Sequence, residues 1–86
     1  SDLVTKGKPN PEIFEVASAQ LGLTPKDCVG VEDSIAGIEA INSAGSCSVG
    51  VGDETLSQAF KRVESTKELT VTLLQEAWNN FVKEKI

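Results

Sequence analysis

The sequence predicts an α/β fold: a parallel sheet flanked by helices. Three observations predict it. Two short apolar runs rich in valine, Cys28 to Val31 and Cys47 to Val51, alternate with longer segments whose apolar residues recur at helical spacing. Capping and breaker residues separate the two kinds of segment. The order helix–strand–helix–strand–helix calls for right-handed crossovers, which lay successive strands side by side in parallel.

Taken in order, residues 1–7 form a polar lead-in. Lys8-Pro9-Asn10-Pro11 then breaks the chain and starts a helix. Asn10 is a capping residue, and Pro11 suits the first helical position, where no N–H is needed. Ile13, Phe14, Ala17 and Leu21 share one face, and Gly22 closes the helix as a left-handed cap. After a turn, Cys28 to Val31 reads as a buried strand ending in Glu32-Asp33. Ser34 caps a second helix with a stripe of Ile35, Ile38, Ile41 and Ala44, and Gly45 ends it. Cys47 to Val51 is the next strand. Gly50-Val51-Gly52 lacks the third glycine of a dinucleotide fingerprint and the Gly-Lys-Ser/Thr ending of a phosphate loop, so it reads as a strand end where the backbone needs room. A short helical stretch is expected around Leu56, Ala59 and Phe60, then a short third strand at Arg62 to Glu64. Ser65-Thr66-Lys67-Glu68 has capping-box spacing. Val71, Leu74, Trp78 and Phe81 give the last helix an apolar face, expected to be core rather than a ligand platform.

Composition bounds the function. The 86 residues make one small domain or a piece of a larger one, and 40% hydrophobic with 24% charged residues is globular. Eight Lys and Arg against 13 Asp and Glu give a net charge of −5, which argues against a nucleic-acid backbone or an anionic membrane as partner. With no histidine, this chain alone offers neither a Ser-His-Asp nor a Cys-His nucleophile. No apolar run approaches the ~20 residues of a membrane span. The two cysteines, each inside an apolar run, read as buried thiols rather than a disulfide framework. Together these features predict a soluble cytoplasmic protein. A parallel strand is normally paired on both sides, yet two or three strands leave a long open edge. The chain therefore reads as the second half of a doubly wound domain without its first strands; the lack of any Met fits a fragment or a processed start.

Two places could carry chemistry. Glu32-Asp33-Ser34 lies at the carboxyl end of a buried strand and opens a helix, where open α/β sheets bind ligands. Adjacent carboxylates there repel unless a cation is near, and magnesium suits them because it takes one or two carboxylates and completes its octahedron with water and phosphate. Neighbouring side chains on a strand point to opposite faces, so both reach one ion only if the chain has begun to turn or one acts through water. Asp33, nearer the helix, is the better direct ligand. On the other reading Asp33 helps cap the helix and Glu32 is solvated. The second place is Lys8, held by prolines in Gly7-Lys8-Pro9-Asn10-Pro11: either a surface charge, or an aimed ammonium that offsets charge on a transferring phosphoryl group.

These residues resemble a family. Gly7-Lys8-Pro9-Asn10-Pro11 with Glu12-Ile13-Phe14 is similar to the third motif of haloacid-dehalogenase-type (HAD-like) phosphotransferases, and Gly30-Val31-Glu32-Asp33-Ser34 with Ala36-Gly37-Ile38-Glu39-Ala40 to the fourth. The likeness runs from about residue 6 to residue 78. Within the family, Val49-Gly50-Val51-Gly52-Asp53 with Ser65-Thr66-Lys67-Glu68-Leu69-Thr70 looks most like the beta-phosphoglucomutases, whereas Ala59 to Val63 departs from a more apolar third strand.

The resemblance implies the carboxyl-terminal half of a HAD-like Rossmannoid core domain over residues 1–86, lacking the nucleophile strand and the helical cap domain. It implies a magnesium-dependent enzyme that works through an aspartyl-phosphate. Lys8 would be the catalytic and substrate-binding cation, and Glu32 and Asp33 the magnesium residues. The substrate implied is a small phosphorylated sugar, beta-glucose 1-phosphate converted to glucose 6-phosphate; the partner is the missing amino-terminal part of the same enzyme. No Asp-x-Asp stretch occurs in the sequence, so the segment alone is expected to be inactive. Two other readings stand beside this one: a phosphatase of the same family acting on a small phosphorylated metabolite, and a non-catalytic scaffold that keeps the fold.

Overall fold

The computed structural model describes residues 7–84. Apart from Gly7, the polar lead-in lies outside them. Helix α1 spans Glu12–Gln20, strand β1 Val29–Glu32, helix α2 Ile35–Ala44, strand β2 Cys47–Val51, strand β3 Lys61–Val63 and helix α3 Val71–Glu84. Short 3₁₀ turns at Pro25–Asp27, Glu54–Leu56 and Thr66–Glu68 join them. The strands form a parallel sheet in the order β1-β2-β3. Val29 pairs with Cys47 and Val31 with Val49; Val49 in turn faces Lys61 and Val51 faces Val63. Beta2 is thus the central strand, while β1 and β3 are the edges.

The core follows from this order. Helix α2 packs on β1 and β2 and buries Ile38, Ala40 and Ile41. Helix α3 packs on β2 from the other face, where Cys47, Val49 and Ala77 form a cluster with Phe60, Leu74, Trp78 and Phe81 against it. The rings of Phe60 and Phe81 meet edge to face with centroids 5.3 Å apart. Ser48 is buried within β2 because its hydroxyl is satisfied: it donates to Asn42 Oδ1 at 2.7 Å and accepts the Phe60 N–H at 2.9 Å.

Most element ends obey their sequence signals. The Ser34 side chain caps α2 by accepting the Gly37 N–H, and Gly45, at φ +87°, supplies the left-handed residue that ends it. Gly22 closes a Schellman turn on α1, with Leu23 N–H donating to Ser18 O and Gly22 N–H to Ala19 O. Ser65 and Glu68 form the capping box, although it caps a single 3₁₀ turn. Gly50 does need room, since a Cβ there would stand 3.1 Å from that of Ala59.

Several expectations are corrected. The regular helix starts at Glu12, so Pro11 stands at the cap position rather than the first helical one, while Asn10 Oδ1 still accepts the Glu12 N–H two residues on. Cys28 precedes β1 rather than starting it, and it is only half-buried because it lies at the open edge of the sheet. Ile35 and Val71, the first residues of their helices, are exposed, and Val71 borders the open groove beside Val29 of β1. Only Glu54–Leu56 is helical in the stretch extending to Phe60, and β3 starts one residue early, at Lys61. The expected face of α1 is largely uncovered: Leu21 is 74% exposed and Ser18 is the buried residue. Among the described residues, no helix is long and apolar enough to cross a membrane.

Candidate functional site

The carboxyl ends of β1 and β2 open on a cleft of about 260 Å³ lined by Val31, Glu32, Asp33, Val51, Thr66 and Leu69. Glu32 is the last residue of β1, and Asp33 follows in the bend before α2. Lys8, 24 positions earlier, enters from the turn before α1, where the Lys8–Pro9 bond is cis.

The structure brings Lys8 and Glu32 together. Lys8 Nζ donates to Glu32 Oε2 at 2.7 Å. The other carboxylate oxygen, Oε1, accepts the Asp33 N–H at 3.1 Å and the Ser34 hydroxyl at 3.3 Å. Ser34 Oγ in turn accepts the Gly37 N–H at 3.0 Å. The pair is unequally covered, with Glu32's side chain 13% and Lys8's 37% exposed. Burial alone would raise the Glu32 pKa. The hydrogen bond from Lys8, the Asp33 N–H and the Lys8 charge together outweigh it and hold the carboxyl below the ordinary glutamate range. Glu32 is therefore an anion already committed to Lys8, while Asp33 is exposed at the mouth of the cleft.

The two adjacent carboxylates thus stand in different surroundings. The turn after Glu32 sets Asp33 outward, and Glu32 folds back over the first turn of α2. An exposed carboxylate such as Asp33 could bond a hard cation directly, whereas Glu32 is engaged with Lys8. Among the described residues, no three Asp, Glu, Cys or His side chains converge on a metal position. A cation held by Asp33 would need further ligands from water, phosphate or another part of the protein.

Three contributors escaped sequence reasoning. Thr66 lines the cleft, although its motif signalled only a cap. Ser34 braces Glu32 as well as capping α2. Gly37 leaves the space that Glu32 fills: a Cβ there would lie 1.9 Å from Glu32 Cγ. Position was available as a signal for Thr66, which follows the third strand at the same end of the sheet; Ser34 and Gly37 stood in the quoted motifs, but nothing marked them as the brace and the room for Glu32.

Comparison with known proteins supplies the frame. A family model described as a haloacid dehalogenase-like hydrolase matches residues 1–45. The chain is 45% identical over 85 residues to the beta-phosphoglucomutase of Bacillus subtilis, covering 96% of this chain and 38% of that protein. It is 51% identical over 57 residues to a probable pseudouridine-5'-phosphatase of Drosophila melanogaster, covering 64% of this chain and 25% of that one. A crystal structure of the Clostridium difficile beta-phosphoglucomutase superposes with a TM-score of 0.90 at 42% identity, over 93% of this chain and 36% of that one. The chain thus spans between a quarter and two fifths of the length of these relatives.

Proposed function

Because the chain belongs to the haloacid dehalogenase-like hydrolases, we propose that it is the lysine-and-metal portion of a phosphotransferase, a beta-phosphoglucomutase that converts beta-glucose 1-phosphate to glucose 6-phosphate. The single observation that carries this reading is the 2.7 Å pair between Lys8 and Glu32 beside Asp33, at the carboxyl end of β1. Pairing with a half-buried carboxylate fixes the direction of the Lys8 ammonium at the end of the sheet where ligands bind, as stabilising phosphoryl oxygens requires.

In this reading Lys8 Nζ keeps donors to spare after binding Glu32, since an ammonium has three. Those donors stabilise charge on the group being transferred. Glu32 fixes the direction of Lys8, and Asp33 holds the divalent ion. Magnesium, when bound, would neutralise charge on the phosphoryl oxygens. Every residue named is acceptor, donor or counter-charge; none is a nucleophile. The reaction's attacking aspartate and the cap that selects the sugar belong, on this proposal, to the amino-terminal part of the same protein.

The outer edge of β1, unpaired among the described residues, supports that division. Grooves of about 310 Å³ and 300 Å³ flank it, one lined by Phe14, Ala17, Leu21 and Val31, the other by Val29, Val71, Leu74 and Trp78. A strand added to this edge would pair with β1 and cover both grooves. The two thiols are free, which suits a cytoplasmic location.

The experiment is an assay of the complete protein with beta-glucose 1-phosphate and a trace of glucose 1,6-bisphosphate. Formation of glucose 6-phosphate is expected. Release of inorganic phosphate without isomerisation would instead favour a phosphatase, the second reading, which the 51% identity to the Drosophila phosphatase supports. Neither product, under saturating magnesium, would leave the scaffold reading.

A further inference from the structure

We propose that Gly37 is a positioning residue: it leaves the space in which Glu32 sits, and through Glu32 it aims Lys8. The proposal rests on the function proposed above for Lys8. Gly37 is the third residue of α2, buried and helical in its backbone. No left-handed conformation calls for glycine there, and a glycine inside a helix is less favourable than alanine. What occupies the position of the missing side chain is Glu32. A Cβ at residue 37 would stand 1.9 Å from Glu32 Cγ, 2.2 Å from Cδ and 2.6 Å from Oε2. The overlap falls on the stem of the glutamate, so tilting the carboxylate cannot relieve it; the whole side chain must leave its rotamer.

The same glycine acts a second time through its N–H, which donates to Ser34 Oγ at 3.0 Å. Ser34, so fixed, donates to Glu32 Oε1. The carboxylate is therefore held from one side by Ser34 and the Asp33 N–H, and it meets Lys8 with its other oxygen. Gly30 and Gly50 also leave room, but for the apolar side chains of Ile41, Ala59 and Leu56; of the glycines, Gly37 is the one whose missing side chain is replaced by a charged group. Any side chain at position 37 expels Glu32, and Lys8 then loses the anion that orients it.

The test uses the complete protein and three variants: Gly37→Ala, Glu32→Ala, and the two combined. Crystal structures give the Lys8–Glu32 separation, thermal unfolding gives the midpoint, and steady-state kinetics give kcat and KM. In Gly37→Ala the ion pair is expected to open beyond contact and kcat to fall about ten-fold or more, with KM changed much less. Adding Gly37→Ala to Glu32→Ala is expected to lower kcat by less than about two-fold further, and not to lower the midpoint, because the overlap is gone and alanine is the better helix former. An intact pair with unchanged kcat in Gly37→Ala overturns the proposal. So does an equal loss from Gly37→Ala whether or not Glu32 is present. If Gly37→Ala alone fails to fold, folding of the double variant supports the proposal and failure of both overturns it. Should the protein transfer no phosphoryl group at all, the function proposed above fails, while the separation and the midpoints still decide the role of Gly37.

Discussion

Helices α1 and α2 carry similar apolar stripes and meet different fates. In α2, Ile38 and Ile41 are 1% and 0% exposed, because the helix lies across β1 and β2. Helix α1 packs mainly on α2 and the turn after it, and its stripe ends in Leu21, 74% exposed. Nothing among the described residues lies under α1 where a further strand would run beside β1. The difference teaches that the helical layer of this chain is wider than its sheet. The site sits at the same boundary, since Lys8 enters from the α1 side and Glu32 ends β1, the outer strand.

The comparison can be broken or sharpened by substitution. The largest effect is expected at Ile41, where truncation to Ala in the complete protein should cost about 2–5 kcal/mol by removing fully buried atoms from a packed interface. Urea unfolding measures it, and a cost below about 1 kcal/mol would deny α2 its place in the core. Lys8→Ala comes next. Phosphoryl transfer by the complete protein should drop about 100-fold, the scale of losing one stabilised charge in the transition state; an unchanged rate would make Lys8 a surface charge.

Leu21→Ala sharpens the contrast between the helices. In the 86-residue chain it should change stability by less than about 0.5 kcal/mol, as at an exposed site. In the complete protein the same change should cost about 2 kcal/mol, if a strand and its coverings bury Leu21 there. Equal small effects in both would mean that α1 stays uncovered.

The smallest effect is that of pH on the Lys8–Glu32 pair. The folded-state pKa of Glu32 is depressed, so the native state holds this proton less tightly than the unfolded chain. The pair's contribution, under about 1 kcal/mol for a partly exposed pair, is present above the ordinary glutamate value of about 4.3 and is lost as pH falls through the lower folded value. Glu32→Gln should remove that acid-side slope from plots of stability against pH. A slope that survives the substitution would assign it to other carboxylates.

The contrast also marks what the sequence made legible. Periodicity and caps located α2, β2 and α3, since Ser34, Gly45 and the alternation of apolar runs are local signals. The same periodicity grouped the stripe of α1 but could not say whether anything lay opposite, which depends on strands elsewhere. Asn10 and Pro11 were both legible as a helix start: Asn10 accepts the Glu12 N–H, and only the boundary moved by one residue, to Glu12. Lys8, Glu32 and Asp33 stood out by type and flanking residues. The sequence already favoured Asp33 as the direct ligand; it did not show that Glu32 turns back over α2 to meet Lys8, because that needs the room at Gly37, and that space exists only after the helix has packed.

On the function proposed above, Asp33 is the carboxylate that meets the metal, while Glu32 serves Lys8. Calorimetric titration of the complete protein with magnesium tests this directly. The prediction is saturable binding that weakens about ten-fold or more in Asp33→Asn and survives in Lys8→Ala. Magnesium binding that is equally tight with and without the Asp33 carboxylate would contradict it.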